Sequence, residues 1–393
     1  MKSRERVRIA MNLAEPDRVP VFCQLAIGHY FLQTDHAPLD IWYRSDVFAE
    51  SLVELQRRYR FDGILVNLPG RDPDFEQHIE RVEEGENETV VRWKNGNFTR
   101  VPHDDNPHYF MKDGSRYFPS FAELEPDSLW YVEPWDITDI TYPYTWGFES
   151  AARPDDDFFP PFHLDAIKSV KGRVGDEVSV HAEIFSPFSQ FLELLNYEAA
   201  LMALLDDPGK THACLERLTL GASDLAKRQA AAGVDAILIS SAFAGSGLIS
   251  RDHYSEFVLP YEARIVQTVR SAYPEVIVYT HTCGGIGDRL DLMLETGTQG
   301  IDTLDPPPLG TVELEEAVEQ LKGRAFIKGN IDPVNTLLYG DEAAVRAAVL
   351  HRLAAAKAGG GYILSSSCSV APGVRPELLE YMSQVAIELG EYA

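Results

Sequence analysis

Apolar residues along this chain fall into two alternating textures. Short, nearly continuous apolar runs occupy 19–25, 62–69, 178–186, 235–241, 275–283, 300–305, 325–331 and 361–368. Runs of this kind suit parallel strands covered on both faces. Between them lie stretches in which apolar positions recur every three or four residues, as on one face of a helix. These cover 3–14, 45–58, 191–204, 209–232, 251–272, 286–296, 311–322 and 341–358. The first carries Val7, Ile9, Ala10 and Leu13 and stops at Pro16, because the residue before a proline avoids the helical region.

The alternation is interrupted once, over 71–162. There Glu88 to Thr99 places β-forming residues on both sides of Asn95-Gly96, a hairpin signature. Aromatic residues, prolines and acids crowd the remainder, among them Trp130, Trp135, Tyr142, Tyr144, Trp146, Pro160 and Pro161. The pattern predicts an α/β protein, a (β/α)8 TIM barrel formed by 1–70 and 163–393, with 71–162 inserted as a β-rich subdomain or lid.

In such a barrel the chemistry sits where strands end, and polar residues do collect there: Asn67, Glu183, Ser240, Ser241, His281, Cys283, Asp305, Asn330, Asp332 and Cys368. His281 and Cys283, two apart on an extended segment, point to one face. Cys368 closes the last apolar run, 85 positions beyond Cys283, which rules out the spacing of a zinc finger. Imidazole and thiolate are the ligands zinc prefers, and three of them leave a fourth position open for chemistry. The competing reading is a pair of packed cysteines beside a satisfied histidine. Gly284-Gly285, which tolerates close backbone approach, favours the site.

Asp305 has three readings: a fourth ligand displaced by substrate, a helix cap, or an acceptor that orients His281. Glu183, on the same strand face as His181, is either a general acid or an ordinary polar strand end. Gly329 to Pro333 reads as a turn with Asx bonding. Cys23 and Cys214 have no partner nearby in sequence and are taken as structural.

Composition narrows the field of partners. The 393 residues carry a formal net charge of −26, so neither nucleic acid nor an anionic membrane is an expected partner. No stretch is long and apolar enough to span a bilayer, and no apolar segment follows the basic residues 2–8. Four scattered cysteines do not form a secreted disulfide framework, and the expected compartment is the cytoplasm.

Several of these segments together resemble the uroporphyrinogen decarboxylase superfamily. They are Glu15 to Val21, Leu248 to Tyr261, His281-Thr282-Cys283-Gly284, Gly329 to Pro333, and Gly361 to Pro372. The decarboxylases of that superfamily carry an Arg-Gln-Ala-Gly-Arg-Tyr type of segment after the first strand. Here Cys23 to Tyr30 stands in its place without either arginine, and Cys368 stands where those enzymes have a histidine. Pairing with a polycarboxylate substrate depends on such arginines. The other branch, zinc-dependent methyltransferases that work with corrinoid proteins, has a His-x-Cys…Cys signature, kept here as His281, Cys283 and Cys368. This resemblance implies Zn2+ at those residues and a methyl group moved between a small donor, such as a methoxylated compound, or a thiol acceptor and cobalamin on a separate corrinoid protein. No Asp-x-His-x-x-Gly cobalt-ligand motif occurs in this chain. A decarboxylase-like lyase is the alternative activity, and a homodimer is compatible with either.

Overall fold

A computed structural model describes residues 1–116, 118–133 and 158–392. Its strands are β1 Gly63–Val66, β2 Ile79–Glu84, β3 Glu88–Trp93, β4 Phe98–Pro102, β5 His108–Phe110, β6 Ser179–Phe185, β7 Ala236–Ser240, β8 Ile277–Thr282, β9 Gly300–Thr303, β10 Phe326–Ile331 and β11 Tyr362–Ser366. Seven of them pair in the order β1-β6-β7-β8-β9-β10-β11, every pair parallel. Each of the seven is buried along its whole length, which is why their sequences read as apolar runs. The architecture is α/β with a curled, TIM-barrel-like parallel sheet.

The expected first strand, 19–25, is not a ladder strand. It makes only single parallel bridges, Val21 to Leu364 and Leu25 to Val370. Two local features divert its donors. Pro20 has no N–H, and the N–H of Val21 is taken by the carboxylate of Asp62 at 2.9 Å. The segment still touches both edges of the sheet. Phe22 N–H donates to Leu364 O at 2.9 Å, and Asp62 N–H donates to Val21 O at 2.7 Å. The segment that follows, which no helical period marked, is a short helix, Ile27–Gln33.

Two expected helices are broken. The stretch 191–204 belongs to Pro187–Leu195 and Tyr197–Asp206, divided at Asn196, whose φ of 64° leaves the helical region and whose side chain caps the second helix. The stretch 251–272 divides into Arg251–Phe257 and Leu259–Ala272, because Pro260 in the first turn of the second helix cannot continue the first. The helix expected over 286–296 is shortened to Leu290–Glu295.

Strands β2–β5 form a separate antiparallel sheet within the interrupted region. Gly96, at φ 90°, turns the β3–β4 hairpin. Burial alternates along β3, and Trp93 on the inner face meets Tyr43 at 5.5 Å, while Tyr43 stacks on Phe75 at 5.1 Å. Trp135, Tyr142, Tyr144 and Trp146 lie outside the described residues. Residues 130–133 are laid against the helices that follow β6 and precede β7. The Tyr131 hydroxyl accepts from Phe185 N–H at 3.2 Å, and Val132 N–H donates to Gln190 Oε1 at 2.9 Å. A Cβ on Gly221, in helix Pro208–Ala231, would lie 1.7 Å from the Trp130 carbonyl oxygen, so the approach requires glycine there. No helix among the described residues is long and apolar enough to cross a membrane.

Candidate metal centre

His281 is the last inward residue of β8, and Cys283 follows the strand's end. Cys368 lies two residues past the end of β11. The fold brings the three together: their nitrogen and sulfur ligand atoms all lie within 4.8 Å of one another. Cys283 Sγ is 3.3 Å from His281 Nε2 and 3.6 Å from Cys368 Sγ. No other group of three His, Cys, Asp or Glu residues among the described residues is arranged to hold a metal ion. One imidazole nitrogen from β8 and two sulfurs from the loops after β8 and β11 form a donor set of the kind zinc prefers, one short of a tetrahedral four.

The histidine is oriented by a residue that the sequence pattern did not single out. Asp302 is the register partner of His281 across β8 and β9, and its carboxylate accepts from His281 Nδ1 at 3.1 Å. Lys328 is in turn the register partner of Asp302 across β9 and β10, and its ammonium donates to both carboxylate oxygens at 3.0 Å. All three side chains are buried. Fixing Nδ1 in this way turns Nε2 towards the two sulfurs, as metal-binding histidines require. The orienting role considered for Asp305 therefore belongs to Asp302. A charge inside each of two buried apolar runs was the available signal.

Asp305 ties together the two loops that carry the cysteines. One oxygen accepts from Gly284 N–H at 2.7 Å and the other from the Ser367 hydroxyl. Gly284 has a φ of 76°, a conformation that favours glycine, and a Cβ on Gly285 would sit 2.3 Å from Ser246 Oγ. The glycine pair thus allows the tight exit from β8.

Charge within the centre is strongly correlated. Cys368 is held well below the usual thiol range, first by its contact with Cys283 and then by His281. Cys283 is pushed up, first by the same contact and then by burial. Burial works against a charged His281, but the Asp302 hydrogen bond and Cys368 outweigh it and raise the imidazole to about 10. For Asp302 too burial opposes the charge, and Lys328 and His281 prevail, holding the carboxyl below its ordinary value. Exchangeable protons held on nitrogen and sulfur are what an incoming zinc ion displaces.

Glu183 faces inward from β6 and is fully enclosed. Burial raises it to about 7, and its Oε2 has no hydrogen-bond partner. Its strand neighbour His181 is committed to structure, with Nδ1 2.9 Å from the Tyr279 hydroxyl and Nε2 3.1 Å from Ser179 Oγ; burial lowers it to about 3. Asn330 donates to Leu304 O at 2.8 Å, and Asp332 caps the turn after β10 through Val334 and Asn335 N–H, as an Asx turn should. Cys23 and Cys214 are buried away from the centre. Glu133, a buried acid near Glu183, was not anticipated either. It lies in the interrupted region, where no periodicity marks an inward position.

Comparison with known proteins places this geometry in context. Residues 143–389 match the family described as uroporphyrinogen decarboxylase (URO-D). A uroporphyrinogen decarboxylase from Chlorobaculum parvum is 27% identical over 235 residues, 57% of this chain and 64% of that protein. The chain thus spans just under two thirds of that relative's length. A methyltransferase from Methanosarcina mazei shares the fold with a TM-score of 0.69 at 19% identity, over 99% of each chain. A B12-independent methionine synthase from a Shewanella species follows with a TM-score of 0.51 at 12% identity, over 97% of this chain and 96% of its own.

Proposed function

From the membership of this chain in the uroporphyrinogen decarboxylase family, we propose that it is the zinc-dependent methyltransferase variant of that fold. In this reading residues 19–25 close the seven-stranded sheet into a (β/α)8 barrel, with 71–162 inserted as a β-rich subdomain or lid. The reaction moves a methyl group between a small donor, such as a methoxylated compound, or a thiol acceptor and the cobalt of a corrinoid on a separate protein. The observation that carries the proposal is the convergence of His281, Cys283 and Cys368 within 4.8 Å at the strand ends.

Bound there, zinc would act as a Lewis acid, lowering the pKa of a thiol or polarising a methoxyl oxygen. The protein's own residues supply the rest. Asp302 and Lys328 hold His281 in the orientation that presents Nε2. Asp305 keeps the Cys283 and Cys368 loops together and, in this reading, would be the fourth ligand that substrate displaces. Glu183, protonated near neutral pH, donates its proton to the departing oxygen of a demethylated donor.

The family name also admits a decarboxylase reading, and one site argues against it. The segment that would carry arginines offers His29 instead. That side chain is buried against the Tyr59 hydroxyl at 2.7 Å and lowered to about 4 by burial, so it is neutral and offers a carboxylate no charge to pair with.

A screen of methoxylated compounds and thiols with cob(I)alamin or methylcobalamin, read by cobalamin absorbance, tests the proposal. At least one donor or acceptor should react about a hundredfold faster with the wild type than with Cys368→Ser. Uroporphyrinogen turnover without zinc or cobalamin, or no reaction with any methyl donor or thiol, contradicts it.

A further inference from the structure

Glu183 lines a small pocket of about 20 Å3, room for one water molecule. Its wall includes Asn67, Glu133, His163, Glu183 and Gln229. Two of these residues carry a buried oxygen without a hydrogen-bond partner, Glu183 Oε2 and Gln229 Oε1, although Gln229 Nε2 is anchored to the Glu183 carbonyl at 2.8 Å. Buried polar oxygens are seldom left in this state, so the cavity fits a water that donates to both. Glu133 lines the same pocket, on the segment held through Tyr131 and Val132.

We propose that Glu133 is a second acid behind Glu183, the two sharing protons through one water so that the interrupted region 71–162 resupplies the proton Glu183 gives away. This rests on the acid role proposed for Glu183. The step balances without any further reactant. Glu183 transfers its carboxyl proton to the leaving oxygen and becomes a carboxylate. The bridging water gives it a proton and receives one from the Glu133 carboxyl, which solvent later restores.

The surroundings favour a protonated pair. Burial raises Glu133 to about 8, with Arg71 opposing and Glu183 adding to the rise. Glu183 is raised to about 7 by burial, with His281, Ser240 and Lys328 opposing and Asp302 adding. His163, on the same wall, is lowered to about 3 by burial, with Arg228 and Arg71 adding, so it stays neutral and does not compete for the proton. Two carboxyls that line one small pocket and act on each other's charge lose their protons as a pair, in two steps.

The test is an infrared pH titration of the full zinc-loaded chain, following the protonated-carboxyl band, with Glu133→Gln, Glu133→Asp and Glu183→Gln beside the wild type. The wild type should show two steps around neutral pH. Glu133→Gln and Glu183→Gln should each leave one step, at lower pH than the upper step of the wild type, and Glu133→Asp should restore two. With a reactive donor in hand, Glu133→Gln should lower kcat about fivefold at pH 8, change it less than about twofold at pH 6, and leave KM unchanged. An upper step that survives in Glu133→Gln, or a cation retained in the cavity of the wild type, overturns the proposal. The infrared titration needs no substrate, so a failed methyl-transfer screen does not disguise the outcome for the pair.

Discussion

Replacing Cys368 with serine is expected to abolish zinc retention while leaving the fold intact. A serine hydroxyl does not ionise near neutral pH, so the substitution removes one of three anchoring ligands. Cys368 Sγ contacts Cys283 Sγ within the centre, and the residue is only partly buried, in a loop past the end of β11. Its loss should change stability of the metal-free protein by no more than about 1 kcal/mol. Metal analysis after dialysis should find zinc in the wild type and none in Cys368→Ser, with urea midpoints of the metal-free proteins nearly equal. Cys23→Ser is the control, because Cys23 is buried against Ser366 N–H at 3.3 Å and lies outside the centre; it should keep its zinc. Equal zinc retention in Cys368→Ser and Cys23→Ser would mean that the cysteines at the mouth are only packed side chains.

Asp302→Asn should damage both stability and metal binding, for separate reasons. Removing the carboxylate charge leaves the Lys328 ammonium buried without its ion-pair partner, above the Phe22 ring at 5.1 Å. Breaking a buried ion pair from one side costs about 3–5 kcal/mol. The same change weakens the support of His281, which should lower zinc affinity about 10–100-fold. Adding Lys328→Met removes the stranded charge, so the double variant should recover stability but not zinc affinity. The pH dependence follows the same logic. Asp302 is held below its ordinary value of 3.8 in the fold, so its stabilisation is complete above that value and is lost as pH falls below it. Unchanged urea midpoints in Asp302→Asn would contradict a structural role for the Asp302–Lys328 pair.

The convergence of His281, Cys283 and Cys368 was legible because it depends on two regular features, the period of two along a strand and the habit of parallel barrels of gathering chemistry at strand ends. His281 and Cys283 satisfy the first, and Cys368, far away in sequence, satisfies the second. Asp302 and Lys328 were harder to see, since a template for apolar runs passes over single charges, and only the register of β8, β9 and β10 reveals that they meet. The irregular segment at 19–25 looks like a strand because Val19, Val21, Phe22 and Leu25 are buried. Pro20 and the reach of the Asp62 carboxylate to Val21 prevent the ladder, and the second of these is a contact across 41 positions. Glu133 was illegible. Its position beside Glu183 arises from the close passage of Trp130 over Gly221 and the grip of Gln190 on Val132, neither of which leaves a local pattern.

We propose that His281, Cys283 and Cys368 hold a zinc ion where β8 and β11 end. X-ray absorption at the zinc edge of the purified chain tests it most directly. The account predicts about one zinc per chain, bound by two sulfurs, one imidazole nitrogen and a lighter oxygen ligand, with a sulfur signal halved or lost in Cys283→Ser. A chain that binds no zinc, or binds it through oxygen and nitrogen alone, would contradict it.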